Sequence, residues 1–282
     1  MNKLSTSKRV QIIAALVEGC SIRATCRITG AAKNTVSKLL CDVGAACERY
    51  QDRDMRNLPC TRLECDEIWS FVYAKAKNVP YAKITDAGIG DMWTWIAICA
   101  DTKLVPTWWI GGRDAGTAER FMRNLAGRLA NRVQLTTDGH QPYLKAVESA
   151  FGDNIDFAML VKLYGPDGND RKPESKYSPG KCNGSRRHRI KGQPVYEHVS
   201  TSYAERQNLT MRMSMRRFTR LTNAFSKKVE NLGHAVALHF MHYNYCRKHM
   251  SINKTPAQAA GLTDHRWKIE EIIALLDSNE PN

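Results

Sequence analysis

The stretch "RLECDEIWSFV", Arg62 to Val72, constrains the fold more than any other part of the chain. Leu63, Cys65, Ile68, Phe71 and Val72 are residues of a buried strand, yet Asp66 and Glu67 sit among them. A desolvated carboxylate is costly unless something compensates it. A salt bridge, a metal ion or exposure to water would each do so.

Strand-like runs recur after this one. "MWTWIAICAD" (92–101) and "LVPTWWIGG" (104–112) follow, joined by the turn-forming Asp101-Thr102-Lys103. Five of the six Trp lie between 69 and 109, as befits a packed sheet. "DAGTAERFMRNLAGRLA" (114–130) reads as a helix capped by Asp114, with Phe121, Leu125 and Leu129 inward. "RVQLTTDG" is a fourth strand ending at Asp138, Pro142 opens a helix, and "DFAMLVKLY" (156–164) is a fifth strand. The order β-β-β-α-β-α-β predicts an α/β fold, a mixed sheet flanked by helices.

Ahead of the sheet, "KRVQIIAALVE" (8–18) repeats apolar residues at a helical period. "SIRATCRITG" offers Ser21 as a cap and Gly30 as a turn, and "AAKNTVSKLLCDVG" gives a third helix burying Ala32, Val36, Leu39 and Leu40. This is a helix-turn-helix layout, whose third helix presents Lys33, Asn34, Ser37 and Lys38 outward, as a major groove requires. A plain three-helix cap with a polar face has the same pattern. The expected division is 1–50 helix-turn-helix, 51–61 linker, 62–260 α/β sheet domain and 261–282 C-terminal helix.

Lys and Arg number 42 against 28 Asp and Glu in 282 residues, a net charge of +14. Such a charge favours polyanionic partners. Between 171 and 228, 15 cations face three Glu, so most of the excess lies in one segment. It includes a Gly/Pro-rich stretch, 165–200, expected to be a long basic loop or insertion. The opening segment is too polar and periodic for a secretory leader, and no apolar run approaches the ~20 residues of a membrane span. Nine cysteines without a C-x-x-C pair suggest reduced thiols in a cytoplasm and no zinc.

If the first and fourth strands are neighbours, Asp66 and Asp138 face one crevice, where two unpaired carboxylates call for a divalent cation. A third acid, Glu205, is alone in the basic helix "STSYAERQNLTMRMSMRRF", for which Ser200 or Ser202 is available as cap. "CDEIWSFV", "TTDGHQPYLKAV" and "AERQNLTMRMSMRRFTRLTNAFSKKVE" together resemble the catalytic segments of the insertion sequence 1 family of bacterial DDE transposases. The likeness covers roughly 62–232, with three motifs in the family's order; "YNYCRKHMSINKTPAQAAG" (243–261) is also similar to the tail of related transposase and integrase cores.

The resemblance implies an RNase H-like fold in which Asp66, Asp138 and Glu205 are catalytic and hold two Mg²⁺ ions, with Mn²⁺ as a substitute. It implies cleavage of element ends and their joining to target DNA, by a homodimer or larger assembly on double-stranded DNA, cytoplasmic and nucleoid-associated. Arg186, Arg187, Arg189, Arg206, Asn208, Arg212, Arg216 and Arg217 would contact the DNA backbone. Two departures stand out. Asp138 and Glu205 have 66 residues between them, more than the family's usual spacing, with Glu197 as the fallback acid; and the family's N-terminal cysteine cluster is missing.

Other residues have two readings each. Glu67 should face away from Asp66 as a salt-bridged acid. His140 is either a DNA or water contact near the metal or a surface loop residue. Tyr243, Asn244, Arg247 and His249 either line a DNA channel or serve packing. Two other functions fit the same chain: an inactive DNA-binding regulator of transposition, and an RNase H-like nuclease that cuts without joining.

Overall fold

Six strands form one sheet in the order β3-β2-β1-β4-β5-β6: β1 (Arg62–Val72), β2 (Gly90–Cys99), β3 (Thr107–Gly111), β4 (Val133–Asp138), β5 (Ile155–Tyr164) and β6 (Cys182–Lys191). The computed structural model describes residues 4–83, 86–164, 182–219 and 223–277. β1–β2, β2–β3 and β5–β6 are antiparallel, while β1–β4 and β4–β5 are parallel. The sheet is therefore mixed, α/β, and compatible with an RNase H-like arrangement.

Paired residues share a face of a pleated sheet, so contacts at the middle strands assign the layers. Trp95, opposite Glu67, packs on Phe121 of α4 (Ala115–Ala126) and Tyr143 of α5 (Pro142–Phe151). Trp108, in the row of Asp66 and Ile96, stacks on Phe240. Phe240 belongs to α7 (Val229–Met241), which covers the other face together with α6 (Ser202–Ser214).

Local signals account for much of this. Asp114 caps α4, its Oδ1 accepting from Thr117 N at 2.9 Å. Lys103 takes a positive φ of 62° in the turn after β2. The third strand is shorter than its apolar run, beginning at Thr107 rather than Leu104. The reason lies far along the chain: the Asn244 side chain donates to Val105 O and accepts from Val105 N, both at 3.0 Å, so Val105 has no need of a strand partner. Asn244 and Tyr243 are buried and serve packing, Tyr243 Oη donating to Lys103 O at 3.1 Å.

The N-terminal helices are α1 (Thr6–Val17), α2 (Ile22–Thr29) and α3 (Lys33–Asp54). Ser21 Oγ caps α2, and Gly30 ends it in the left-handed region at φ 69°. Of the four residues expected to be buried in α3, Ala32 is instead exposed, standing at the helix's cap position. α3 is also longer than its apolar pattern, so residues 51–54, expected to begin a linker, are its last turn. Gln51 is buried there and donates to Ala237 O of α7 at 3.1 Å. At Gly44 a Cβ would lie 2.4 Å from His234 O, so α3 and α7 cross at a separation only glycine permits. One apolar core runs from Ile12 and Ile13 of α1 through α7 to the sheet.

Two other expectations change. The basic segment 182–191, expected as loop, is strand β6, held to β5 by backbone pairing without any apolar alternation; residues 165–181 lie outside the described residues. The C-terminal helix expected over 261–282 is α9 (Ile269–Ala274), after the short α8 (Pro256–Ala259), and 278–282 lie outside the described residues. No helix among the described residues is long and apolar enough to cross a membrane.

Candidate functional site

Cys65 of β1 pairs with Thr137 of β4, and β4 ends one residue later. Asp66 and Asp138 are thus next in register, side by side on parallel strands, at the point where β1 loses its neighbour on that side. Beyond this point β1 continues beside β2, with an isolated bridge from Val72 to Ser226 near its end. A crevice opens there, and oxygens of Asp66, Glu67 and Asp138 lie within 4.8 Å of one another.

Each acid is held differently. Asp66 Oδ1 accepts from Glu67 N and Oδ2 from Asn208 Nδ2, both at 2.8 Å. Burial, then the Glu67 and Asp138 charges, push its carboxyl up to about 7. Glu67, with 1% of its side chain exposed, accepts from Arg113 Nε at 2.7 Å and from Tyr143 Oη at 3.1 Å. Burial and Asp138 raise its carboxyl nonetheless, against the pull of Arg113. Asp138 is 35% exposed, accepts from His140 N at 3.0 Å, and lies 3.6 Å from Arg113 Nη2. Two of the three carboxylates, Glu67 and Asp138, therefore share one guanidinium.

Glu67 was expected to turn away as a salt-bridged acid. It is salt-bridged, to Arg113, but it also stays with the cluster. Because β4 stops at Asp138, that carboxylate is approached from both faces of β1, by Asp66 on one side and Glu67 on the other. His140 packs its ring on Trp95 and Tyr143, with centroids 5.6 and 6.0 Å away, and Nε2 lies 4.0 Å from Glu67 Oε1. Burial and Arg113 lower its pKa below the ordinary imidazole value, against the pull of Asp138.

Glu205 stands in the first turn of α6, on the Asp66 face, but its carboxylate is not one of the three drawn together. Lys162 Nζ of β5 donates to it at 2.5 Å and Thr201 Oγ1 at 2.6 Å. Asn208, three residues on, is the contact that α6 makes with Asp66. Asn208 was expected to face DNA; it is buried because the sheet covers that side of the helix. Arg217, expected outward, is half-buried where the chain leaves α6 and donates to Ser226 Oγ at 2.5 Å.

The remaining basic candidates are outward. Arg206, Arg212 and Arg216 are exposed, as are Arg186, Arg187 and Arg189 on β6. Leu160 pairs with both Asp138 and Arg187, so Arg187 lies in the row of the acids, two strands away, about 10 Å by sheet spacing. Its guanidinium donates to Tyr196 O at 3.2 Å and lies 5.1 Å from that ring. On α3, Lys33, Asn34 and Lys38 are exposed, Ser37 is half-buried, and Lys38 pairs with Asp42 at 2.6 Å.

Sequence reasoning missed Arg113, Tyr143, Lys162 and above all Glu64. Glu64 is two residues before Asp66 on the same face and 4% exposed. Its Oε2 accepts from the α6 amides Tyr203 N at 2.7 Å and Ala204 N at 3.1 Å. Burial still pushes its carboxyl up to about 7. Of the serines expected to cap α6, Ser200 Oγ accepts from Ser202 N at 3.1 Å and shares a hydrogen bond with Ser202 Oγ at 2.9 Å. The two-residue spacing from Asp66 was the available signal for Glu64.

No protein-family model matches the chain, and no curated protein matches it. Among solved structures, the crystal structure of the Mos1 strand transfer complex aligns over 86% of this chain and 78% of that one, at 13% identity and a TM-score of 0.24. A likeness that slight carries no argument about activity.

Proposed function

We propose that this chain is a metal-dependent DNA transposase of the DDE class, cleaving the ends of its element and joining them to target DNA. The observation that carries the reading is the convergence of Asp66, Glu67 and Asp138, undercompensated, where two parallel strands part. A set of carboxylate oxygens fits a hard cation such as Mg²⁺ or Mn²⁺ and not the N/S preference of zinc. Asp66 and Asp138 would hold the cations, with Glu205 as third ligand once it leaves Lys162. Bound there, two such ions would supply an activated water or 3′-hydroxyl and charge stabilisation at the leaving oxygen.

The protein's own groups do the rest. Arg187 and its β6 neighbours, with Arg206, Arg212 and Arg216, grip phosphates and carry no sequence information. Arg113 anchors Glu67 beside Asp138 and opposes the rise that burial imposes on its carboxyl. Asn208 orients the Asp66 carboxylate by fixing one of its oxygens. Residues 1–50, with α3 outward, recognise the element end, and a dimer or larger assembly brings two ends together.

One observation favours a second reading, the inactive DNA-binding regulator: Lys162 and Thr201 already satisfy Glu205. The two readings part on a labelled duplex carrying the element's own end, with wild type and Asp138→Asn compared with and without Mg²⁺ or Mn²⁺. The transposase nicks and then joins the end with metal, and the variant binds without cutting. Equal binding and no cleavage with any metal would leave the regulator.

A further inference from the structure

We infer that Glu64 is a positioning residue: as the N-terminal cap of α6, supplied from the neighbouring strand, it sets Glu205 and Asn208 relative to Asp66. The inference rests on the metal-dependent reading above and adds a residue to its machinery.

A helix leaves its first amides without intrahelical partners, and the residue at the cap position ordinarily takes them. Thr201 occupies that position in α6 but makes no capping bond with its side chain. Its hydroxyl donates to Glu205 instead. Glu64 fills the vacancy from β1, one oxygen receiving both Tyr203 N and Ala204 N. The local cap is thereby released to orient the acid, and a distant carboxylate does the capping.

The spacing of the ties supports the role. Ala204 and Asn208 are four residues apart on α6, about 6 Å along the axis. Glu64 and Asp66 are two apart on β1, about 6.6 Å. One helical turn therefore matches one strand repeat, and the two bonds act as a two-point clamp. Glu205 lies between the points on the helix. Lys103 is buried alongside, its ammonium 3.3 Å from the Tyr203 ring centroid, and its charge offsets that of Glu64.

The test uses the full chain and five proteins: wild type, Glu64→Gln, Glu64→Ala, Glu205→Gln and the Glu64→Ala/Glu205→Gln double variant. Amide hydrogen exchange at Tyr203 and Ala204 is measured without metal, and Mn²⁺ affinity by calorimetry. The Ala variant is expected to lose protection at those two amides about tenfold or more, while the Gln variant, whose amide oxygen accepts the same bonds, stays close to wild type. Mn²⁺ affinity is expected to fall about tenfold in Glu64→Ala and, in the double variant, by clearly less than the product of the two single losses.

Unchanged protection in Glu64→Ala overturns the cap. Losses of affinity that multiply in the double variant overturn the link to Glu205, since a merely structural defect would add to the loss of the ligand. If wild type binds no Mn²⁺, the metal reading fails and the positioning role falls with it, whatever exchange shows of the cap. Should the Ala variant not fold, a Gln variant with lost protection overturns the inference, and retained protection with wild-type Mn²⁺ affinity supports it.

Discussion

β1 places three acids where the sheet is most enclosed, and β6 places three arginines where it is most open. The strands are nearly equal in length, 11 and 10 residues. β1 has partners on both sides and helices on both faces, whereas β6 hangs on β5 and exposes all but its last residue. Inside, each acid has a dedicated protein partner: helix amides for Glu64, Asn208 for Asp66, Arg113 and Tyr143 for Glu67. Outside, Arg187 donates to the Tyr196 carbonyl, and the positive charge is left for a partner of opposite sign. A buried charge thus reports on the protein's own structure, and an exposed cluster on what the protein meets.

The comparison is broken most severely at the acids. Asp138→Asn is expected to lower metal-dependent strand cleavage by about a thousandfold or more, with DNA binding kept, as read from nicking of a labelled duplex.

A subtler test uses the raised carboxyl of Asp66. Its folded pKa of about 7 exceeds the unfolded value, so the native state holds the proton more tightly. The resulting stability is complete below about pH 4 and is lost as pH rises through about 7. In metal-free buffer, wild type should lose roughly 2–4 kcal/mol relative to Asp66→Asn across that window, measured by urea unfolding. Parallel pH curves for the two proteins would refute it.

Arg113→Met leaves Glu67 buried beside two carboxylates. The expected cost is about 2–3 kcal/mol, below that of a fully buried pair because the Arg113 side chain is 40% exposed. Adding Glu67→Gln should recover much of it in thermal unfolding.

The smallest effect on the fold should come from β6. Changing Arg186, Arg187 and Arg189 together to Ser should alter stability by no more than about 0.5 kcal/mol. The same change should reduce the salt slope of DNA binding by about 2–3. An unchanged slope would take β6 out of the DNA surface.

Much of this architecture is legible in sequence because it is written locally. Apolar runs mark β1, β2 and β5, and Asp114 and Ser21 mark helix starts by bonds that reach three residues. The neighbourhood of Asp66 and Asp138 follows from a correct guess of strand order. What escapes is decided at long range. β6 has no apolar pattern, since backbone pairing alone holds it. Asn208 looks outward on an isolated helix, because the sheet that covers it belongs to residues far upstream, and Arg217 is drawn in by Ser226 after that helix has ended. Val105 needs no strand partner only because Asn244 supplies one, 139 residues later.

The sequence distance between Glu64 and the α6 amides is also 139 residues, and that between Asp66 and Asn208 is 142. At synthesis rates of about 5–20 residues per second, roughly 7–30 s separate the appearance of β1 from that of α6. Throughout that interval the acids of β1 lack the amides that hold two of them in place. The crevice is therefore finished late, and a chain released before α6 carries the carboxylates without their arrangement. Nascent copies would carry the acids of β1 without their two-point clamp until α6 has left the ribosome.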